Sequence, residues 1–93
     1  MISCDFEVFG KVQGVYFRKC TLEKARQLLL TGWCSNTPKG TVKGQLEGDE
    51  QSVISMVQWL KNEGSPASII EKCQVSDFIT INERYFKDFS IIK

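Results

Sequence analysis

Two kinds of hydrophobic spacing alternate along this sequence of 93 residues, and their order restricts the fold more than any other feature. Residues 2–8 carry apolar side chains at every second position, which predicts a half-buried strand. From about Phe17 to Leu29, apolar residues recur at the spacing of an amphipathic helix. A strand over about 31–36, the turn residues of 38–40 and an alternating stretch over 42–47 then predict a β-hairpin.

The rest of the chain contains another helix and two more strands. The helix begins after Gly48, carries an apolar stripe from Val53 to Leu60, and ends at the glycine and proline of residues 64–66. A strand around Ile69 to Asp77 and a closing strand over 89–91 follow. The order β-α-β-β-α-β predicts an α+β fold of the ferredoxin-like α/β sandwich type. We expect an antiparallel sheet with two helices on one face and a short additional C-terminal strand.

The length of the chain sets its organisation. A chain of this size buries roughly 60–65% of the surface that it exposes when unfolded, which suffices for one core but not for a separate cofactor domain. The sequence also lacks linkers, repeats and low-complexity stretches. We therefore expect a single domain over residues 1–93, with the two tryptophans and six phenylalanines in its core.

The residue types that are absent exclude several kinds of site. Without histidine, the chain has neither serine-histidine nor cysteine-histidine nucleophile systems and no histidine-ligated zinc. Cys4, Cys20, Cys34 and Cys73 form no C-x-x-C pair, so we expect reduced thiols that pack as small hydrophobic side chains. No apolar run has the length of a signal sequence or a membrane span. These features predict a soluble cytosolic protein with no membrane partner.

Charge is unevenly distributed, although the formal net charge is only +1. Residues 10–46 contain seven cations and one anion, while the remaining residues contain five cations and ten carboxylates. A basic segment favours an anionic ligand, but an exposed lysine-rich surface gives the same pattern. The overall balance argues against unspecific binding of long nucleic acids, which requires a broad cationic surface.

The segment GKVQGVYFR, residues 10–18, lies between the first predicted strand and the first predicted helix. Glycines allow successive backbone N–H groups to converge on an anion, and the helix N-terminus adds partial positive charge. The segment is neither a Walker A loop nor a dinucleotide fingerprint, and two glycines at such a place also occur in ordinary tight turns. Arg18, in the first helical turn, can reach over the loop and bind phosphate oxygens. Asn36, by itself, is better explained as a turn residue.

Three segments resemble the signature of the acylphosphatase family. They are GKVQGVYFRK, GWCSNTPKGTVKGQLEG and WLKNEGSP, and the resemblance runs through nearly the whole chain. It implies the same ferredoxin-like fold and the metal-independent hydrolysis of acyl phosphates to a carboxylate and inorganic phosphate, with no cofactor. It also implies that Arg18 binds the phosphate and that Asn36 orients the attacking water. The implied phosphate cradle consists of Lys11, Val12, Gln13, Gly14, Val15 and Tyr16.

The resemblance further implies a small-molecule acyl phosphate as substrate. We also expect inorganic phosphate or sulfate to compete for the cradle, and we expect a monomer. Two positions differ from the family pattern. Leu29 stands where the family usually has a glycine, so we expect a different helix cap and a slight shift of the next strand. Tyr16 stands where phenylalanine or cysteine is usual, so its hydroxyl is expected to alter the rim of the site.

Two other functions are compatible with this fold. A noncatalytic anion-binding regulatory module would keep the loop without turnover, but the presence of both Arg18 and Asn36 argues against it. RNA-recognition domains expose aromatic residues on a central strand, whereas the strand here reads TVKGQ over residues 41–45. The sequence therefore favours the enzyme over both alternatives.

Overall fold

The structure, a computed structural model, describes residues 1–92. Its elements, in chain order, are β1 (Ile2–Lys11), α1 (Phe17–Gln27), β2 (Thr31–Asn36), β3 (Val42–Gly48), α2 (Glu50–Asn62), β4 (Ile69–Val75), β5 (Ile79–Thr80) and β6 (Phe89–Ile91). The predicted order of helices and strands is confirmed, with β5 as an additional short strand. None of the helices in this described part of the chain is long and apolar enough to cross a membrane.

The strands form one sheet in the order β4-β1-β3-β2-β6, and β5 pairs with the beginning of β1. All pairs are antiparallel except β2 with β6, which is parallel; the predicted antiparallel sheet holds for the four long strands, and the short C-terminal strand differs from it. The path of the chain explains the difference. β5 lies beside Ile2 and Ser3, at the end of the sheet where Thr31 begins β2, so the chain enters β6 from that end.

The core lies between the sheet and the two helices. Ile2, Cys4, Phe6 and Val8 alternate inward as predicted, and the stripe of α2 packs against them. The aromatic prediction is only partly right. Phe6, Phe17 and Phe89 are buried, whereas Trp33 lies partly buried on the open face and Phe78 is exposed. The remaining phenylalanines and tryptophan are partly buried: Phe9, Trp59 and Phe86.

The first strand is longer than its alternating pattern indicated. Gly10, which we expected in the loop, pairs with Ile70 on β4 after a register shift, and Lys11 pairs with Ile69. A Cβ atom at Gly10 would lie 2.1 Å from the carbonyl oxygen of Ile69, and its φ of 128° is unfavourable for other residues. The glycine therefore allows two strands to approach closely, and the loop proper starts at Val12.

The first helix ends earlier than predicted, and Leu29 does not contribute to its apolar face. Leu29 is 77% exposed and has a φ of 59°, the left-handed conformation that glycine usually supplies at a helix end. Its N–H donates to the carbonyl of Arg26, and the N–H of Leu30 donates to that of Ala25. These are the two hydrogen bonds of a Schellman cap. The expected change of cap is therefore wrong, and β2 begins at Thr31 as predicted from sequence.

A buried carboxylate holds the connection between β5 and β6 in place. Glu47, on β3, is only 2% exposed and accepts hydrogen bonds from Thr31 Oγ1 at 2.8 Å and from the backbone N–H groups of Tyr85 and Phe86 at 3.1 and 2.8 Å. Arg84 adds hydrogen bonds to Thr31 Oγ1 and to the Glu47 carbonyl. This anchor fixes the connection that leads into β6.

Candidate active site

The loop of residues 12–16 connects β1 to the N-terminus of α1. Tyr16 occupies the N-cap position with φ 60° and ψ 21°, and its carbonyl accepts the first helical hydrogen bond from Cys20 at 3.0 Å. The first N–H groups of any α-helix lack helical acceptors and carry partial positive charge. The first turn of α1 contains no acidic residue that would offset this charge. The loop and helix start thus form a region suited to an anion.

A cavity of about 500 Å³ opens beside this helix start. Its lining consists of Val12, Gly14, Tyr16, Phe17, Arg18, Lys19 and Ile91. Within residues 1–92, the Arg18 guanidinium forms no ion pair with a carboxylate, unlike that of Arg26, which pairs with Asp88 at 2.9 Å. An arginine that no carboxylate neutralises remains available to bind phosphate oxygens through two parallel hydrogen bonds.

Asn36 is the last residue of β2 and does not line this cavity. Its side chain is partly buried, and its Oδ1 atom is inaccessible and has no hydrogen-bond partner among the described residues. Leaving a buried acceptor unpaired costs on the order of 1–3 kcal/mol, so such atoms often mark a place where a ligand or water completes the bonding.

Gln13 connects the loop to the turn that follows Asn36. Its Nε2 atom donates to the carbonyl oxygens of Thr37 and Thr41, both at 2.9 Å. The two amide hydrogens therefore hold together the two ends of the β2-β3 turn. The sequence placed Gln13 among the substrate-binding residues, but its side chain binds the protein itself and positions the loop relative to Asn36.

A chain of side-chain hydrogen bonds supports the same turn from β1. Thr41 Oγ1 donates to Glu7 Oε2 at 2.6 Å, and Thr37 Oγ1 lies 2.6 Å from Thr41 Oγ1. Because the Thr41 hydroxyl proton goes to Glu7, Thr37 acts as donor to Thr41. Lys39 Nζ lies 3.8 Å from the same Glu7 oxygen. Sequence reasoning missed Glu7 and Thr41, because nothing in a strand pattern indicates which outward-facing carboxylate reaches a distant turn.

The remaining predicted residues are distributed unequally. Val12, Gly14 and Tyr16 meet Arg18 around the cavity, whereas Val15 is buried in the core and Lys11 is an exposed strand residue outside the cavity lining. Ile91 and Lys19 also line the cavity, although no sequence signal pointed to them.

The buried thiols of Cys34 and Cys4 are not reactive groups. Burial raises the pKa of Cys34 to about 12, although the positive charge of Arg18 opposes the shift. Burial likewise raises the pKa of Cys4 to about 11, with Asp5 and Cys73 contributing in the same direction. Both thiols therefore stay protonated near pH 7. Only the deprotonated thiolate acts as a nucleophile or a metal ligand. In the part of the chain that the structure describes, no cluster of cysteine and carboxylate groups is arranged to hold a metal.

A slightly larger hollow of about 530 Å³ lies on the open face of the sheet, away from the helices. Asp5, Glu7, Trp33 and Lys43 are among its lining residues, but none of the residues predicted to act on phosphate belongs to it. The two carboxylates there disfavour an anion. Size alone therefore does not identify the active site, and the cavity beside Arg18 has the better chemistry.

The chain was compared with known proteins. A family model described as Acylphosphatase matches residues 4–91. Acylphosphatase-1 of Homo sapiens is 46% identical over 93 residues, which cover 100% of this chain and 94% of that protein. Acylphosphatase-2 of Homo sapiens is 48% identical over 89 residues, covering 96% and 90% of the two chains. Among solved structures, the acylphosphatase from Bacillus subtilis superimposes with a TM-score of 0.90 at 33% identity and covers 100% of both chains.

Proposed function

The chain belongs to the acylphosphatase family and hydrolyses the carboxyl-phosphate bond of acyl phosphates, and we propose that Arg18, the loop beside it and Asn36 perform this reaction by direct attack of water. The observation that carries the assignment of residues is the cavity at the start of α1. There, loop residues Val12 and Gly14 line one space at a helix N-terminus together with Arg18, which pairs with no carboxylate among residues 1–92.

The chemistry requires neither acid nor metal from the protein. The leaving group is a carboxylate, which is already a stable anion near neutral pH and needs no proton. Phosphoryl transfer passes through a loose transition state in which the nucleophile is little bonded, so a strong base adds little. Positioning and charge stabilisation remain, and backbone N–H groups together with Arg18 supply both at the phosphoryl oxygens.

Asn36 is proposed to orient the attacking water. Its unpaired Oδ1 supports this role, because among the described residues it is an acceptor without a donor, and a bound water can supply one. The turn behind Asn36 is tied to the loop through Gln13, so the water and the phosphoryl group would be held in a fixed relation. The proton of the water passes to a phosphoryl oxygen in this proposal, since the site residues include no base.

Alanine substitutions test these assignments directly. Arg18→Ala and Asn36→Ala should each lower kcat for benzoyl phosphate by about 10²–10³ while the circular dichroism spectrum stays native, as expected when one preorganised donor or positioning group is lost. Arg26→Ala serves as the matched control, because Arg26 lies on the same helix but outside the cavity lining, and its side chain binds exposed Asp88 and the carbonyl oxygen of Phe89. Wild-type rates in either site variant would refute the assignment.

We further propose that residues 1–93 act as one domain and that the protein works as a cytoplasmic monomer without nucleic-acid or membrane partners. The single contiguous core supports one domain, and four unpaired cysteines suit a reducing compartment. Asp5 and Glu7 on the open sheet face would repel a nucleic-acid backbone. Inorganic phosphate or sulfate should compete with the substrate for the loop. Sedimentation of the purified protein and inhibition by phosphate test two of these proposals.

A further inference from the structure

The cavity beside Arg18 is larger and more apolar than a phosphoryl group requires. Its volume of about 500 Å³ falls within the roughly 300–1,000 Å³ that is typical of pockets for whole small molecules. Arg18 and Lys19 supply its charge, while Val12, Phe17 and Ile91 supply aliphatic or aromatic walls. Apolar side chains do not stabilise a charged phosphoryl group, so these walls suit an apolar part of the substrate.

We propose that Tyr16 and Ile91 form the subsite for the acyl group and make the enzyme select aromatic over small aliphatic acyl phosphates. The inference rests on the proposed function, since it assumes that the phosphoryl group lies against the loop and Arg18. It adds the substrate class and two residues that determine it.

Tyr16 is held in place by its backbone and not by packing of its ring. The side chain is 78% exposed, although it belongs to the cavity lining, and its left-handed φ of 60° is uncommon for a residue with a large side chain. The helical hydrogen bond from Cys20 to its carbonyl fixes the start of α1 behind it. An exposed ring in a constrained loop at the cavity provides apolar surface that an aromatic acyl group can cover.

Ile91 reaches the cavity from the other side. It lies on β6 next to Cys34 on β2, and β2 ends only two residues later at Asn36. Ile91 also packs against the core, so its position is fixed by the sheet. The acyl subsite would therefore be bounded by the loop on one side and by the last strand on the other, with the proposed water-orienting residue near its end.

The test compares benzoyl phosphate and acetyl phosphate as substrates of the full chain. Tyr16→Asn removes the ring but accepts the left-handed backbone, because asparagine tolerates that conformation. The ratio of kcat/KM for benzoyl phosphate to that for acetyl phosphate should fall about fivefold, the size of effect expected for a lost apolar contact. Tyr16→Phe keeps the ring and should keep the ratio, and Ile91→Ala should lower it in the same direction.

Leu29→Asn is the matched control. Among residues 1–92, Leu29 is the other non-glycine residue in the left-handed conformation; it is equally exposed and lies at the opposite end of α1. Its substitution should leave the ratio unchanged. If Tyr16→Asn slows both substrates equally, or neither, the acyl subsite is refuted while the proposed function stands. If the wild-type protein hydrolyses neither substrate, the proposed function falls and this inference falls with it.

Discussion

Replacing Leu29 with glycine should make the protein more stable. Leu29 has the left-handed φ of 59°, which costs a residue with a Cβ atom roughly 1–2 kcal/mol. Glycine removes that cost but loses more backbone freedom on folding, about 0.5–1 kcal/mol. The side chain is 77% exposed, so little packing is lost with it. The net gain in the free energy of unfolding should be about 0.5–1 kcal/mol.

Urea unfolding, followed by tryptophan fluorescence, measures this gain. With a slope of about 1–3 kcal/mol/M for a small protein, the midpoint should rise by about 0.2–1 M. The melting temperature should rise by about 2–8 °C, because each kcal/mol shifts a domain of this size by about 4–8 °C. Both hydrogen bonds of the helix cap remain in the glycine variant, since they come from backbone groups.

The alanine variant at the same position isolates the cause. Leu29→Ala shortens the side chain as glycine does but keeps the Cβ atom, so it should not gain stability. A glycine variant no more stable than the alanine variant would show that the left-handed conformation is not strained here. Equal gains in both would assign the effect to the exposed leucine side chain instead.

Three further predictions concern the loop, the buried carboxylate and a thiol. Gln13→Ala should lower kcat about tenfold to hundredfold by loosening the loop. Gln13→Glu should be equally slow, because a carboxylate cannot donate to the carbonyls of Thr37 and Thr41. A fully active glutamate variant in a benzoyl phosphate assay would contradict this. Glu47→Gln should lower the free energy of unfolding by roughly 1–3 kcal/mol in urea titrations, since the side-chain nitrogen of glutamine cannot accept from the Tyr85 N–H and leaves that donor unpaired, and an unchanged midpoint would refute the anchor. Burial raises the pKa of Cys34 from 9.0 to about 12, so its contribution to stability is complete below pH 9 and declines as the pH rises toward 12. Cys34→Ala should therefore lose less stability than wild type over that range, and parallel curves would contradict the shift.

The sequence predicted the strands well where only one face of the strand is buried. The bounds of β2 agree with the structure, because a strand with one buried face carries its period in its side chains. It failed at Gly10, which looked like a loop residue but serves a close approach of β1 to β4. The prediction also failed at Leu29, which fits the apolar spacing of the helix but has a left-handed backbone conformation. Both errors concern backbone conformation, which hydrophobic spacing does not encode.

The candidate site was predictable to a similar extent. Arg18 and the loop follow from local sequence, because a glycine-containing strand-to-helix connection and an arginine in the first helical turn are neighbours in the chain. The role of the Gln13 side chain, the Glu7 to Thr41 hydrogen bond and the place of Ile91 depend on which strands pair. Those pairings join residues that are far apart in sequence, so no local pattern indicated them.

Hydrolysis of acetyl phosphate in ¹⁸O-labelled water tests the central proposal most directly. Water that attacks the phosphoryl group held beside Arg18 leaves its oxygen in inorganic phosphate, so mass spectrometry should find the label in phosphate and none in acetate. The rate of label incorporation should fall by about 10²–10³ in Arg18→Ala, in step with turnover. Label in the acetate would mean that water attacks the acyl carbon, and the proposed mechanism would be wrong.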